Sequence, residues 1–302
     1  MKNKKWFYTQ LFLLLILAAG LSTGCGGGGS GTAAGPAATR AISGSAVKGP
    51  VSGATVTAFA VNSEGIKAND IGFATTDIAG NYSIPMGDYS GPVLLQMSGG
   101  SYMDEAAGVM MNMAAGDVMT AAVPFMSAGD SVGGIQITPV TSMAQSMAAH
   151  MPGGMSQANI AAANTAVGNY FNVDNILTTH PMDPTVTGSN ASATQDMRNY
   201  GMTIAAMSQF AKDSGMTASS GMVTAMMNDA SDGIMNGMMG GSQVMMGGGM
   251  MGNTMMQSNA GTGALANHMT TFIQSQMNRS GATLQDLQAL MNKLAATNGM
   301  IL

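Results

Sequence analysis

The hydrophobic pattern changes its period near Gly134, and this change limits most strongly what the chain can fold into. Before that point, short runs such as 51–61 (VSGATVTAFAV) alternate in side-chain character, and glycine or proline turns separate them. Alternation at every second residue predicts β-strands, whereas the later recurrence at three and four residues predicts helices. The sequence therefore predicts an α+β protein. A small antiparallel β-sandwich is expected over 41–126, followed by a separate α-helical domain over 135–302.

Turn signals divide the strand-rich part. Short strands are expected at 72–76, 81–84 and 93–97, and the last of these (VLLQM) is apolar enough to lie in the interior. Between the first two, Asp77 can accept hydrogen bonds from its own backbone, and Gly80 can adopt a positive φ. A tight turn is therefore expected at 77–80.

Two runs of residues resemble a known family. GSAVKGPVSGATV at 44–56 and TTDIAGNYSI at 75–84 resemble the carboxypeptidase regulatory-like (transthyretin-like) β-sandwich, whose pattern is G-x-V-x-x-x-P-V-x-G-A-x-V followed by T-D-x-x-G-x-Y. The resemblance implies a non-catalytic module that serves as a spacer, a folding aid or a binding module. The structural roles that it implies are a turn at Asp77 and Gly80, an inward-packed ring at Tyr82 and a tight strand entry at Gly53.

Helix start signals mark the second part of the chain. Thr138 followed by Pro139 is typical of an N-cap and a first helical residue, and Ser156 is expected to cap the next helix. Thr283 and Asp286 have the spacing of a capping pair. Five or six helices are expected, and those after the first two lie at about 193–212, 217–228, 263–278 and 283–296.

The N-terminus has the layout of a secretory signal peptide. Three lysines within the first five residues precede an apolar stretch at 11–19 (LFLLLILAA), and the only cysteine follows at Cys25. The stretch is shorter than the roughly 20 residues that a transmembrane helix needs. The residues LSTGC at 21–25 resemble a lipobox, where bacterial lipoproteins are lipidated and then cleaved before the cysteine. One departure is that Leu lies four positions before the cysteine, where the family usually has it three before.

The lipobox resemblance implies a signal peptide over 1–24, a lipid on Cys25 and a flexible Gly/Ala-rich tether over 25–40. Bacterial lipoproteins of this kind carry three acyl chains, and two lipid signals already anchor a protein stably. Gly26 stands where an aspartate often retains lipoproteins at the inner membrane. The resemblance therefore implies the outer membrane of a bacterial cell envelope, on its periplasmic or surface face. The alternatives are a secreted protein with a spare thiol and an uncleaved anchor.

Charge and motifs indicate a binding role rather than catalysis. Only 8% of residues are charged, with a net charge of −5, against roughly 25% charged residues in ordinary domains. No basic patch occurs, so nucleic acid is not an expected partner. HExxH and P-loop motifs are absent from the sequence. The histidines, which are His150, His180 and His268, are expected to be structural or exposed.

Two further acidic groups are expected to have structural rather than functional roles. Asp104 and Glu105 are expected in a turn or at a strand edge rather than as an acid/base couple, because neighbours on a strand point to opposite faces. The run 229–233 (DASDG) has some acidic spacing of a calcium loop, but it lacks a third ligand and the terminal glutamate. Neither group is expected to carry the function.

The expected function is therefore that of a membrane-anchored, non-catalytic envelope lipoprotein that acts as a structural or binding module. Its expected partners are the membrane, through the lipid on Cys25, and another envelope protein or a surface polymer. No cofactor is expected. The alternative is a soft metal ion, Cu(I), bound by methionine side chains. An enzyme of an unrecognised type is a further alternative, which a pocket with convergent His, Asp and Ser side chains would favour.

A methionine-rich stretch gives the alternative function. Glycine is frequent over 235–261 and opposes a helix, so a disordered, mobile Met/Gly-rich loop is expected there. Thioether sulfur is a soft ligand that suits Cu(I), and the stretch resembles the Met-rich stretches of copper-handling proteins outside the cytoplasm. Methionine as an apolar filler, an adaptable apolar surface and reversible oxidation are the other interpretations. The candidate metal ligands are Met235, Met238, Met239, Met245, Met246, Met250, Met251, Met255 and Met256.

Overall fold

The strand-rich part forms two main sheets in the computed structural model, which describes residues 40–247 and 254–301. Its strands are β1 (Ala41–Ala46), β2 (Thr55–Val61), β3 (Lys67–Thr75), β4 (Asn81–Pro85), β5 (Gly91–Ser98), β6 (Ser101–Met103), β7 (Met110–Asn112), β8 (Val118–Met126) and β9 (Val132–Ile137). One sheet has the order β4-β1-β9 and the other the order β3-β2-β5-β8, while β6 and β7 pair with each other.

The edge strand β9 departs from the predicted pattern. It lies beyond the range 41–126 that was predicted for the strands, and it pairs with β1 in parallel, whereas the other pairs of these sheets are antiparallel. Gly133 and Gly134 interrupt the alternation at this point, so the local pattern carries no strand signal. The mixed α+β class is confirmed, and the purely antiparallel pairing is corrected at this one strand pair.

The predicted turn at 77–80 is confirmed. Asp77 Oδ1 accepts hydrogen bonds from the backbone N–H groups of Ala79 (2.9 Å) and Asn81 (2.8 Å), and Gly80 has a φ of +80°. These bonds hold the pKa of the Asp77 carboxyl below its ordinary value, mainly through Asn81. Two residues further on, the buried Tyr82 donates its hydroxyl to the Ile135 carbonyl, which ties β4 to β9.

Strand β5 is buried on both faces, as its apolar run predicted. Val93 and Leu95 belong to a cluster that also contains Ile42 of β1 and Ile84 of β4. Leu94 points the other way, because successive residues of a strand alternate between faces, and it belongs to a second cluster that contains helical residues.

Three of the helices that the structure describes begin where capping residues predicted them. The helices are α1 (Pro139–His150), α2 (Gln157–Tyr170), α3 (Gln195–Asp213), α4 (Ser220–Ala230), α5 (Leu265–Ile273) and α6 (Leu284–Ala296). Thr138 forms a capping box at α1, Ser156 caps α2, and Thr283 with Asp286 forms a capping box at α6. The last helix ends before Asn298 and Gly299, which both have positive φ.

The helices share a core with the four-stranded sheet, which corrects the predicted separate helical domain. Helices α1 and α2 pack against β8, and Leu94 and Ala122 are buried in one cluster with Val140 and Met147 of α1. An apolar sheet face must be covered by another layer, and here the helices supply it. The described residues, 40–247 and 254–301, accordingly belong to one compact unit.

Candidate functional site

The predicted signal peptide, Cys25 and the tether up to residue 39 lie outside the described residues, as do Met250 and Met251 of the candidate metal ligands. In the part of the chain that the structure describes, no helix has both the length and the apolar character that a membrane crossing requires. The candidate sites that can be located are therefore the Met-rich segment (residues 235–256) and the buried polar groups.

The described parts of the Met-rich segment, 235–247 and 254–256, contain short strand pairs, which corrects the predicted mobile loop at those residues. The rest of the predicted loop at 248–253 lies outside the described residues. Strand β10 (Met238–Met239) pairs with β11 (Ser242–Gln243), and β12 (Met245–Met246) pairs with β13 (Thr254–Met255). The N–H of Val244 donates to the Gly237 carbonyl, and the N–H of Met256 donates to the Val244 carbonyl, both at 2.8 Å. Glycine disfavours a helix here, but Gly240 and Gly241, with φ of +57° and +82°, permit the tight turn between β10 and β11.

Burial sorts the methionines of this segment into two sets. Met235, Met246 and Met256 are buried and contribute to the core that the helices share. Met239, Met245 and Met255 are exposed at 43%, 49% and 48% of their surface, and Met238 is partly buried. Because strand neighbours point to opposite faces, Met245 faces outward while Met246 faces inward. The apolar-filler interpretation thus fits the first set and leaves the second unexplained.

A cavity of about 390 Å³ adjoins two of the exposed methionines, Met239 and Met245. Met239, Met245 and Gln243 of the Met-rich segment line it together with Asp117, Thr224 and Asn228. Asp117 is buried just before β8, and its two carboxylate oxygens accept hydrogen bonds from the hydroxyls of Ser220 (2.6 Å) and Thr224 (3.1 Å) of α4. Sequence reasoning missed Asp117, because nothing near Gly116 in the sequence distinguishes it from an ordinary turn residue.

Asp229 holds the start of the Met-rich segment. This buried residue of α4 accepts a hydrogen bond from the backbone N–H of Gly237 at 2.6 Å through Oδ1, and its Oδ2 has no partner among the described residues. Burial raises the pKa of Asp229 to about 7, although the N–H groups of Gly237, Asn236 and Met238 oppose that rise. Its near neighbour Asp232 accepts instead from Ile234 N–H, so the two carboxylates do not form a calcium loop.

The acidic pair Asp104 and Glu105 lies in the turn after β6 and converges on one buried lysine. Lys48 Nζ lies 3.0 Å from Glu105 Oε2, 3.6 Å from Asp104 Oδ2 and 5.2 Å from the centre of the Tyr102 ring. Ser208 of α3 donates its hydroxyl to Glu105. Burial opposes the charge of Lys48, but the carboxylates of Glu105 and Asp104 outweigh it and raise the pKa. The turn position was expected; the convergence on Lys48 was not.

The histidines have separate partners. His150 Nδ1 lies 2.8 Å from the Ser146 carbonyl oxygen, His180 Nδ1 lies 3.1 Å from Gln136 Oε1, and His268 Nδ1 lies 2.8 Å from Asp213 Oδ2. Burial lowers the pKa of His180 below its ordinary value. Over 40–247 and 254–301, no group of three or more His, Cys, Asp or Glu side chains is arranged to hold a metal ion.

Comparison with protein-family models, with curated proteins and with solved structures found no match for this chain. The function is therefore inferred from the residues themselves.

Proposed function

We propose that the chain is a lipid-anchored protein of a bacterial cell envelope that acts as a non-catalytic structural or binding module. The observation that carries this proposal is the sequence LSTGC at 21–25, which follows a basic start and an apolar stretch. The lipid on Cys25 would hold the protein on the outer membrane, on its periplasmic or surface face. Its partner would be another envelope protein or a surface polymer.

The proposed architecture includes a β-sandwich of the carboxypeptidase regulatory-like kind. Its two layers would be the β4-β1-β9 sheet and the β3-β2-β5-β8 sheet. Buried side chains of both sheets, such as Ile84 from the first and Val56 and Leu95 from the second, belong to one cluster, which supports this arrangement. The turn at Asp77 and the inward ring of Tyr82 agree with the roles that the resemblance implies.

The sequence has no HExxH or P-loop motif, and its one G-x-S-x-G run, GDSVG at 129–133, lies where β8 connects to β9 rather than between a strand and a helix. A binding role is proposed for this reason, and because the cavity beside the Met-rich segment is lined mainly by neutral side chains. Asp117 in its wall already accepts hydrogen bonds at both carboxylate oxygens, so this acidic group is engaged in holding the wall together. A neutral, partly apolar wall suits recognition of a ligand more than proton transfer.

Cys25→Ala is expected to release the protein from the membrane fraction, since the lipid on this sulfur is the proposed anchor and no other cysteine exists. Expression of the full chain in a bacterium with two membranes, followed by membrane fractionation and mass spectrometry of the N-terminal peptide, tests this. The wild-type peptide should begin at an acylated Cys25.

The matched control is Gly26→Ala, which leaves the cysteine in place and is expected to remain with the membrane fraction. An intact leader on the wild-type chain, or an unmodified Cys25 thiol on soluble wild-type protein, would contradict the proposed anchor.

A further inference from the structure

We propose that Met239, Met245 and Met255 form a thioether site for a soft monovalent cation, Cu(I). This inference rests on the proposed binding role and names its ligand. Of the nine candidate methionines, burial assigns Met235, Met246 and Met256 to the core, Met238 is partly buried, and Met250 and Met251 lie outside the described residues. The three that remain are the exposed ones.

Two of the proposed ligands, Met245 and Met255, lie directly opposite each other. Met245 of β12 is the register partner of Met255 of β13 in an antiparallel pair. Side chains at such positions lie on the same face of the pair, with their Cβ atoms about 5 Å apart. Both are about half exposed, so this is the outward face. Two thioether sulfurs are thus presented together to solvent.

The third ligand comes from the other hairpin. Met239 lines the same cavity as Met245. Methionine has three rotatable bonds, so its sulfur can adjust its position toward an ion.

The backbone under the site is held in place. Gly237 has a φ of +75°, and a Cβ at this position would meet the Gln257 carbonyl oxygen at 2.3 Å, so the two ends of the segment pack backbone against backbone. The buried side chains of Met246 and Met256 hold the β12–β13 pair against the core. The exposed methionines are therefore carried by backbone that is packed against the core.

The chemistry of the donors selects the ion. Neutral thioethers are soft ligands that favour Cu(I), whereas calcium and magnesium require oxygen ligands. Asp117, in the wall of the cavity, adds an acidic group without being free to coordinate, because its oxygens already accept from Ser220 and Thr224. No deprotonation of a ligand is needed, so Cu(I) uptake should vary little with pH.

Anaerobic titration with Cu(I) against a chromogenic Cu(I) chelator tests the site. All samples are the full chain carrying Cys25→Ala, which removes the only thiol and makes the result independent of membrane anchoring. This parent protein is expected to withhold a single equivalent of Cu(I) from the chelator, with Cu–S scattering in X-ray absorption. Met245→Leu/Met255→Leu is expected to abolish the uptake, and Met239→Leu alone to weaken it by about tenfold.

The matched control is Met103→Leu/Met110→Leu, which removes another exposed pair of directly opposed methionines, in β6 and β7. It is expected to bind Cu(I) like the parent. Leucine is close to methionine in volume, and circular dichroism checks that each variant is folded. Equal Cu(I) uptake by the parent and by Met245→Leu/Met255→Leu would overturn the site, and so would an equal loss in the control pair.

Discussion

Replacing Lys48 with methionine is expected to lower the free energy of unfolding by about 3–5 kcal/mol, because it leaves two buried carboxylates without their cation. Lys48 is fully buried, and its Nζ lies 3.0 Å from Glu105 and 3.6 Å from Asp104. Methionine fills a similar volume, so the loss reports the charge rather than a cavity. Urea unfolding followed by circular dichroism measures this difference at constant pH.

The cluster around Lys48 is expected to matter because it joins parts of the chain that no secondary structure connects. Lys48 lies between β1 and β2, Glu105 follows β6, and Ser208 belongs to α3. The pKa of Lys48 is raised despite burial. The contribution of this lysine to stability is therefore present in full at neutral pH and is lost only as the pH rises through that raised pKa.

Two further variants separate this effect from a general loss of lysine. Lys48→Met combined with Glu105→Gln is expected to recover part of the loss, since a neutral amide is less costly to bury than an unpaired carboxylate. Lys67→Met removes an exposed lysine that donates to Gln96, and it should cost less than about 1 kcal/mol. If Lys48→Met and Lys67→Met lose the same amount, the buried cluster does not stabilise the fold.

The second large effect is a pH dependence that originates at Asp229. Its pKa is about 7 in the folded protein, whereas its ordinary value is 3.8. Between these values, the folded protein holds a proton that the unfolded chain releases, so folding stability falls as the pH rises toward 7. The full difference is on the order of 4 kcal/mol. Above that pH, this residue adds no further slope.

Asp229→Asn is expected to remove this contribution, so its stability relative to the wild type should rise as the pH rises from about 4.5 to about 7.5. The pKa values of other carboxyls, such as Asp77 and Asp286, are lowered, and these groups change the stability with pH in the opposite direction. Their contributions are the same in both proteins, so they cancel when the two are compared by urea unfolding across this range. The exposed neighbour Asp232 provides the control, because Asp232→Asn leaves the buried carboxyl in place and should keep most of the slope. Parallel curves for wild type and Asp229→Asn would refute the assignment.

The same carboxyl bears on the proposed Cu(I) site. Asp229 accepts from the N–H of Gly237, at the beginning of the Met-rich segment. Asparagine offers an oxygen to the same N–H, so Asp229→Asn is expected to keep the hairpins in place. The pH effect on stability and the uptake of Cu(I) should therefore be separable in this variant.

Three helix starts and the turn at 77–80 were predictable because the interactions that determine them are local. Thr138, Ser156 and Thr283 cap helices through hydrogen bonds to residues three positions away, and Asp77 closes its turn within four residues. The apolar run of β5 likewise indicated burial on both faces. Such signals lie within one window of sequence, which is why composition and spacing reveal them.

The candidate site was predictable only in its residue type. The sequence shows that 235–256 is rich in methionine, but it predicted one mobile loop there. Whether a given methionine is buried or exposed depends on the register of two short strand pairs and on the core beneath them. Met245 and Met246 are identical neighbours in the sequence. They differ in burial because successive side chains of a strand point to opposite faces, and only the tertiary structure shows which face is covered.

By itself, the sequence determined the α+β class, the starts of α1, α2 and α6, the turn at 77–80 and the position of the single cysteine. Only the tertiary structure decided that β9 pairs in parallel with β1, that helices cover the four-stranded sheet, and that Lys48 meets two carboxylates. The physical reason is sequence separation. Lys48 and Ser208 are 160 residues apart, and a contact over that distance leaves no periodic trace in either neighbourhood.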